Sequence, residues 1–144
     1  MHLLTQNVEI REVGAPVTAG SSIDNNSDRI DMSEYESVTF LVPIEDSVAT
    51  GVATATIQGN SADSDTGMAA VDGCVATATC AVNDDLNGTL LVVELRHPMQ
   101  RYVQLTRTSE TANIAYGTVV ALLVPRLKPV TNHSTVSGIA AVSN

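Results

Sequence analysis

The chain has 144 residues, enough for one domain with its own core, and 44% of them are hydrophobic, which is inconsistent with disorder throughout. Its formal net charge of −9 argues against a general affinity for nucleic acid, because phosphates require a basic surface. No apolar run approaches the roughly eighteen residues of a membrane-spanning helix, and the first residues lack the pattern of a secretory signal peptide.

The first half of the chain predicts strands separated by a long polar loop. Residues 3–12 form the first predicted strand. In the loop that follows, Ser33 precedes Glu36 by three residues, and this capping-box spacing predicts a short helical turn. Residues 37–44 alternate between two faces. The even-numbered positions are predicted to face the core: Val38, Phe40, Val42 and Ile44.

The second half predicts more strands and no helix. Residues 51–60 and 73–82 form a near-repeat, because each contains the run Val-Ala-Thr-Ala-Thr. Further strands are predicted at 89–96, 101–108 and 113–125, with Asn87-Gly88 as a turn signal before the first of them. Seven or eight evenly spaced strands indicate an all-β, antiparallel β-sandwich. Strand count alone leaves jelly-roll, immunoglobulin-like and other sandwiches open.

A cluster of ionisable side chains between residues 94 and 107 raises the question of catalysis. An enzyme would use His97 as a general base, oriented by Glu94, with an arginine as an anion clamp. These groups flank a predicted turn, however, where side chains are normally solvated, and glutamate–arginine pairs on the solvent face of a hairpin explain them without any substrate. We therefore expect no catalytic residues and no enzyme.

The remaining candidates for a metal or cofactor site are weak. Asp63 and Asp65 hint at a calcium loop but lack its other ligands, so a plain acidic loop is expected. Cys74 and Cys80 are about 20 Å apart if they share one strand, too far for a disulfide, and are expected to be buried free thiols. The histidines are scattered singly: His2, His97 and His133. No metal and no cofactor is expected.

Four stretches of the sequence resemble small proteins encoded in the head modules of tailed phages. They are "IDMSEYESVTFLVPI" (30–44), "LLVVELRHPMQRYVQLTRT" (90–108), "TANIAYGTVVALLVPRLKPV" (111–130) and, more weakly, "IQGNSADSDTGMAAV" (57–71). The shared features are an Asp-Met-Ser-x-Tyr run, a Pro-x-x-Arg-Tyr-Val turn and a last strand that closes on a basic, proline-containing segment.

The resemblance implies a capsid decoration (cement) protein with a jelly-roll-like sandwich. Such a protein would bind the outside of a phage head, after assembly in the host cytoplasm, and stabilise contacts between major capsid subunits. Its partners would be the major capsid protein and further copies of itself, as a homodimer or homotrimer, without nucleic acid or membrane. Arg101 and Tyr102 would restart a strand after the turn, where an arginine holds the turn or faces a neighbouring subunit.

The charge distribution adds a prediction about the C-terminus. Residues 1–125 are expected to form the sandwich, and residues 126–144, which carry two bases and no acid, an extended arm on a neighbouring subunit. The interface residues expected in this arm are Arg126, Leu127, Lys128, Pro129 and Val130. Two alternatives remain: a carbohydrate- or receptor-binding module of a phage particle, and, less compatible with the scattered histidines, a jelly-roll hydrolase or isomerase.

Overall fold

The computed structural model describes residues 3–127, 130 and 133–142 of the chain. Within this part, eleven strands, one helical turn (α1, Leu4–Asn7) and one 3₁₀ turn (Met32–Glu34) are present. The strands are β1 Glu9–Gly14, β2 Val17–Gly20, β3 Asp24–Asn26, β4 Ile30–Asp31, β5 Tyr35–Ser47, β6 Val52–Asn60, β7 Ala69–Thr79, β8 Thr89–Arg96, β9 Tyr102–Glu110, β10 Ile114–Tyr116 and β11 Val119–Pro125.

The strands form two antiparallel sheets that pack face to face. In sheet 1, the strand order is β1-β11-β5-β8. The short strand β10 pairs with the last residues of β5, on the same edge of β5 as β11, and β2 pairs with the other edge of β10. In sheet 2, the order is β3-β9-β6-β7, with β4 also beside β9. The predicted all-β antiparallel sandwich is therefore confirmed.

The pairing also selects the jelly roll among the sandwiches that the strand count left open. The first long strand pairs with the last (β1 with β11), and β3, β5 and β6 pair in turn with β9, β8 and β7. This is one long hairpin whose arms are folded together into two sheets, which is the jelly-roll arrangement.

The number of strands differs from the predicted seven or eight for local reasons. The loop that was predicted between the first two long strands contains the short strands β2, β3 and β4. The predicted strand 113–125 is divided at Gly117, whose N–H donates to the carbonyl of Pro43, and a Cβ there would lie 2.8 Å from a carboxylate oxygen of Glu45. The predicted helical turn is present, but its N-cap is Asp31, which accepts from the Ser33 N–H.

The core lies between the sheets and contains the even-numbered residues of β5, as predicted. Val38, Phe40 and Val42 have no exposed surface, and Ile44 is 1% exposed. Sheet 2 contributes side chains that include Ala53, Ala55, Ile57, Val103 and Leu105, all fully buried. The small alanines let the two sheets approach closely where the sequence supplies few aromatic residues.

The Val-Ala-Thr-Ala-Thr near-repeat has a structural explanation. The two copies pair in opposite directions on β6 and β7, so that Ala53 lies opposite Ala78 and Thr54 opposite Thr77. Because side chains alternate along a strand, all the alanines face the core and the threonines face outward. The hydroxyls of Thr54 and Thr77 are 3.2 Å apart and hydrogen-bond across the pair.

Candidate interaction surface at one end of the sandwich

Three distant segments of the sequence meet at one end of the sandwich, which we call the arginine end and define as residues 31–36, 96–102 and 125–127. Backbone pairing joins them: Asp31 lies opposite Tyr102, and Pro125 lies opposite Tyr35. The N–H of Met32 donates to the Arg101 carbonyl at 2.7 Å, and that of Arg126 to the Glu34 carbonyl at 2.9 Å. The described parts of the motifs that carry the resemblance therefore lie side by side at this end.

An ion pair fixes the turn at this end. The Arg101 guanidinium donates from Nε and Nη2 to the two carboxylate oxygens of Asp31, at 3.0 and 2.8 Å. This pair, together with the Ser33 N–H, holds the pKa of Asp31 well below its ordinary value. The guanidinium also lies 5.2 Å from the centre of the Tyr102 ring. Arg101 thus holds the turn, and about half of its side chain remains exposed.

Two apolar side chains project from the arginine end without cover. Met99 is 99% exposed and Leu127 is 85% exposed. Met99 lines a shallow groove of about 180 Å³ together with Pro98, Arg101 and Arg126, the neighbour of Leu127. Met and Arg are enriched at protein–protein interfaces, so two fully projecting apolar side chains beside exposed arginines are compatible with a contact surface.

The opposite end of the sandwich is acidic. The far end of β5 and the loops beside it contain five exposed acids: Glu45, Asp46, Asp84, Asp85 and Glu110. The arginine end is formally neutral, because its three arginines are balanced by Asp31, Glu34 and Glu36. The two ends therefore differ in charge, and the arginines are the exposed cations that a partner could contact at the neutral end.

A second groove, of about 540 Å³, runs beside the arginine end between β1 and the segment that follows β11. Leu127 and Val130 form its apolar wall, and Glu9, Tyr35 and Arg126 its polar wall. Arg11 donates to Glu9 at 2.7 Å and to the Tyr35 hydroxyl at 3.0 Å, and this hydroxyl donates to Glu9. Burial and the Glu9 carboxylate raise the pKa of Tyr35 to about 12.

The structure separates the groups that an enzyme would need to bring together. β8 belongs to sheet 1 and β9 to sheet 2, so the segment between them crosses the sandwich and is not a hairpin turn. The predicted glutamate–arginine pairs on a shared solvent face are therefore wrong. Glu94 and His97 are both exposed, and no hydrogen bond joins their side chains. His97 has a φ of +52°, an uncommon conformation for a residue before proline.

The other sequence candidates have simple structural roles. Asp63 and Asp65 each pair with Arg29 at 2.6 Å, which ties their loop to the segment before β4. Among the residues that the structure describes, no group of three or more histidine, cysteine, aspartate or glutamate side chains could hold a metal ion. Cys74 and Cys80 are free, as predicted, but only Cys80 is fully buried.

The predicted interface residues fall into two groups. Arg101, Tyr102, Arg126 and Leu127 all lie at the arginine end, and Val130 lines the groove beside it. Lys128 and Pro129 lie outside the described residues.

Arg107 was expected to pair on the solvent face with the other charged residues of this cluster, but it is 1% exposed and lies inside the sandwich. Its guanidinium donates to the carbonyls of Gly117 and Ala15 at 2.8 and 2.9 Å and to the side-chain oxygen of Asn25 at 2.5 Å. Burial lowers the pKa of this arginine. Its parity was a usable signal, because Val103 and Leu105, four and two residues before it, lie on the core face.

Comparison with known proteins adds no assignment. A scan against protein-family models and a search of curated proteins found no match. No helix within the described ranges is long and apolar enough to cross a membrane.

Proposed function

We propose that this chain is a non-enzymatic structural protein of a phage virion, a decoration protein that binds the outer surface of the head through its arginine end. The observation that carries the proposal is that the three resemblance motifs meet on one exposed surface. On this surface, Met99 and Leu127 are the most exposed apolar side chains, and three exposed arginines surround them: Arg96, Arg101 and Arg126. Such a surface binds a partner that offers apolar pockets surrounded by carboxylates.

The jelly roll supports this proposal without being specific to it. Jelly rolls occur in viral capsid domains, in lectins and in cupins, so the fold limits the choice but does not make it. The surface then favours protein binding, since its most exposed large side chains are aliphatic and its cations are arginines, a residue type enriched at interfaces.

No specific observation favours the carbohydrate-binding alternative. Sugar sites usually stack a pyranose ring on an exposed aromatic side chain. Phe40 and Tyr116 are fully buried here, and Tyr35 and Tyr102 are partly buried. None of these four aromatic side chains, in its observed position, offers an exposed ring on which a sugar could stack.

Co-sedimentation with shells tests the proposal. The shells would be assembled from the major capsid protein that the same genome encodes, and the full-length protein would be added at increasing concentration. We expect saturable binding, and a loss of at least tenfold in affinity for the double variant Met99→Glu, Leu127→Glu. Both side chains are exposed, so the variant is expected to keep the β-sheet circular-dichroism spectrum and the melting temperature of the wild type.

The matched control is Val82→Glu, because Val82 is 63% exposed and lies near the acidic end of the sandwich. Its shell binding is expected to stay within about twofold of the wild type, since surface changes outside an interface have small effects. A wild-type protein that does not bind shells, or a double variant that binds as tightly as the control, would show that the proposal is wrong.

A further inference from the structure

Sheet 1 is apolar on both faces, which is unusual for an antiparallel sheet that has one face in water. Its outer side carries a continuous patch, here called the outer apolar face. The apolar residues of this face are Ile10, Leu41, Pro43, Leu90, Val92, Val120, Leu122 and Val124, and β5 adds Ser37 and Thr39 among them. Leu90 and Val92 on the edge strand β8 are 54% and 51% exposed. The outer side of sheet 2, in contrast, carries mostly threonines and glutamines, with Val75 as an isolated exposed apolar residue.

The size of this face limits what can cover it. Four strands about 4.8 Å apart and three rows of side chains about 7 Å apart give a patch of roughly 400 Å². A stable protein–protein interface buries about 800 Å² on each partner. Face-to-face packing of two such patches would therefore fall short, whereas one extended segment of six or seven residues would match a patch about 20 Å across.

The C-terminal segment has the composition to fill that role. Ile139 and Val142 are 40% and 77% exposed. Residues 136–142, Val-Ser-Gly-Ile-Ala-Ala-Val, contain no charged side chain, and six or seven extended residues span about 20 Å. The segment and the face are thus complementary in apolarity and in length.

The segment does not cover the face of its own chain. The Thr135 hydroxyl accepts from the Glu12 N–H at 3.1 Å, at the edge of β1. Thr135 lines a groove together with Asn25 and Asp28, which belong to the sheet 2 side of the molecule. The described residues beyond Val136 are exposed, and so are Leu90 and Val92.

We propose that the outer apolar face is a self-association site that accepts residues 136–142 of a second copy of this chain. The copies exchange their C-terminal segments, either reciprocally in a dimer or around a ring, so that each face is covered and the assembly closes. The face adjoins the arginine end at Arg96, but the proposal does not depend on binding to a phage head.

Site-directed crosslinking of two differently tagged copies tests the exchange. Both copies carry Cys74→Ala and Cys80→Ala, one also carries Val92→Cys, and the other Ile139→Cys. After co-expression and oxidation, we expect a disulfide-linked product that contains both tags. In the control, the first copy carries Val82→Cys in place of Val92→Cys. The thiol is then at an exposed position away from the outer apolar face, and crosslinking is expected to fall at least tenfold.

The mass of the native protein gives a second and independent measurement. By light scattering, the wild type is expected at two or more times its chain mass of 15.1 kDa, and Val92→Lys at 15.1 kDa with an unchanged β-sheet spectrum. A wild-type monomer would overturn the proposal. So would an efficient crosslink within one chain that carries both Val92→Cys and Ile139→Cys, because the segment would then cover its own face. Neither assay uses capsid shells, so failure here and failure of the capsid proposal are distinguishable.

Discussion

Replacement of Arg107 by alanine tests how the interior of this sandwich is held together. The guanidinium lies between the sheets without a carboxylate partner, and it links three parts of the chain by donating to Gly117, Ala15 and Asn25. It also lies 5.7 Å from the centre of the Tyr116 ring. Arg107→Ala would leave those three acceptors without their donors and open a cavity beside the ring.

The magnitude follows from opposing contributions. Three hydrogen bonds from a charged donor are worth roughly 1.5 kcal/mol each, or about 4 to 5 kcal/mol together. Loss of the buried side-chain stem adds about 1 kcal/mol. Removing a buried cation relieves a desolvation cost of several kcal/mol, of which we take about 2 to 3 because the group keeps three polar partners. The expected net loss is about 3 kcal/mol, or roughly 10 °C in melting temperature for a chain of this length.

Thermal and urea unfolding, followed by circular dichroism, would measure this loss. Arg107→Lys keeps the charge but not the planar fork that reaches several acceptors, so its stability is expected between those of wild type and Arg107→Ala. Arg96→Ala, at an exposed position, serves as the control and is expected to shift the melting temperature by less than about 2 °C. The reasoning is refuted if Arg107→Ala melts within about 2 °C of wild type, or if Arg107→Lys is as stable as wild type.

Three further predictions concern the thiols, pH and the C-terminal arm. In the native protein Cys74 should react slowly with a thiol reagent and Cys80 only after denaturation, since burial raises the pKa of both thiols and Cys80 is 1% exposed; equal native rates would contradict this. The Asp31 pKa is lower in the folded chain than its unfolded value near 3.9, so the stability that Asp31 contributes is present above about pH 5 and lost as the pH falls through the folded value. Asp31→Asn should therefore be less stable than wild type at pH 7, with a gap that narrows in acid, and a pH-independent gap in urea titrations would argue against the ion pair with Arg101. A chain that ends at Pro125 should keep its β-sheet spectrum and become monomeric, and an unchanged mass by light scattering would place self-association outside the arm.

Local patterns were sufficient where the physics is local. The strand at residues 89–96 has the predicted bounds, and the core positions of β5 follow from alternation alone, because the side chains of a strand point to opposite faces. The helical turn near Ser33 was also predicted from capping chemistry, although Asp31 rather than Ser33 caps it. The Val-Ala-Thr runs predicted two strands, since alternating small apolar and β-branched residues favour that conformation.

Tertiary structure decided everything that depends on which strands become neighbours. The segment 90–108 has the alternation of a hairpin, yet its two strands lie in different sheets, and nothing local distinguishes a turn from a crossover. The same crossover puts Arg107 inside the sandwich, where backbone carbonyls from distant segments replace the carboxylate that the sequence led us to expect.

The candidate surfaces depend on the tertiary structure for the same reason. The arginine end joins residues as far apart in the sequence as Asp31 and Arg101, and the outer apolar face exists only because β1, β11, β5 and β8 lie side by side. The sequence specified the apolar residues and their alternation. For a strand with apolar residues on both faces, however, the sequence pattern is the same whether the second face is buried or exposed to solvent. Only the packing of the two sheets decided which face is the core and which is left in solvent.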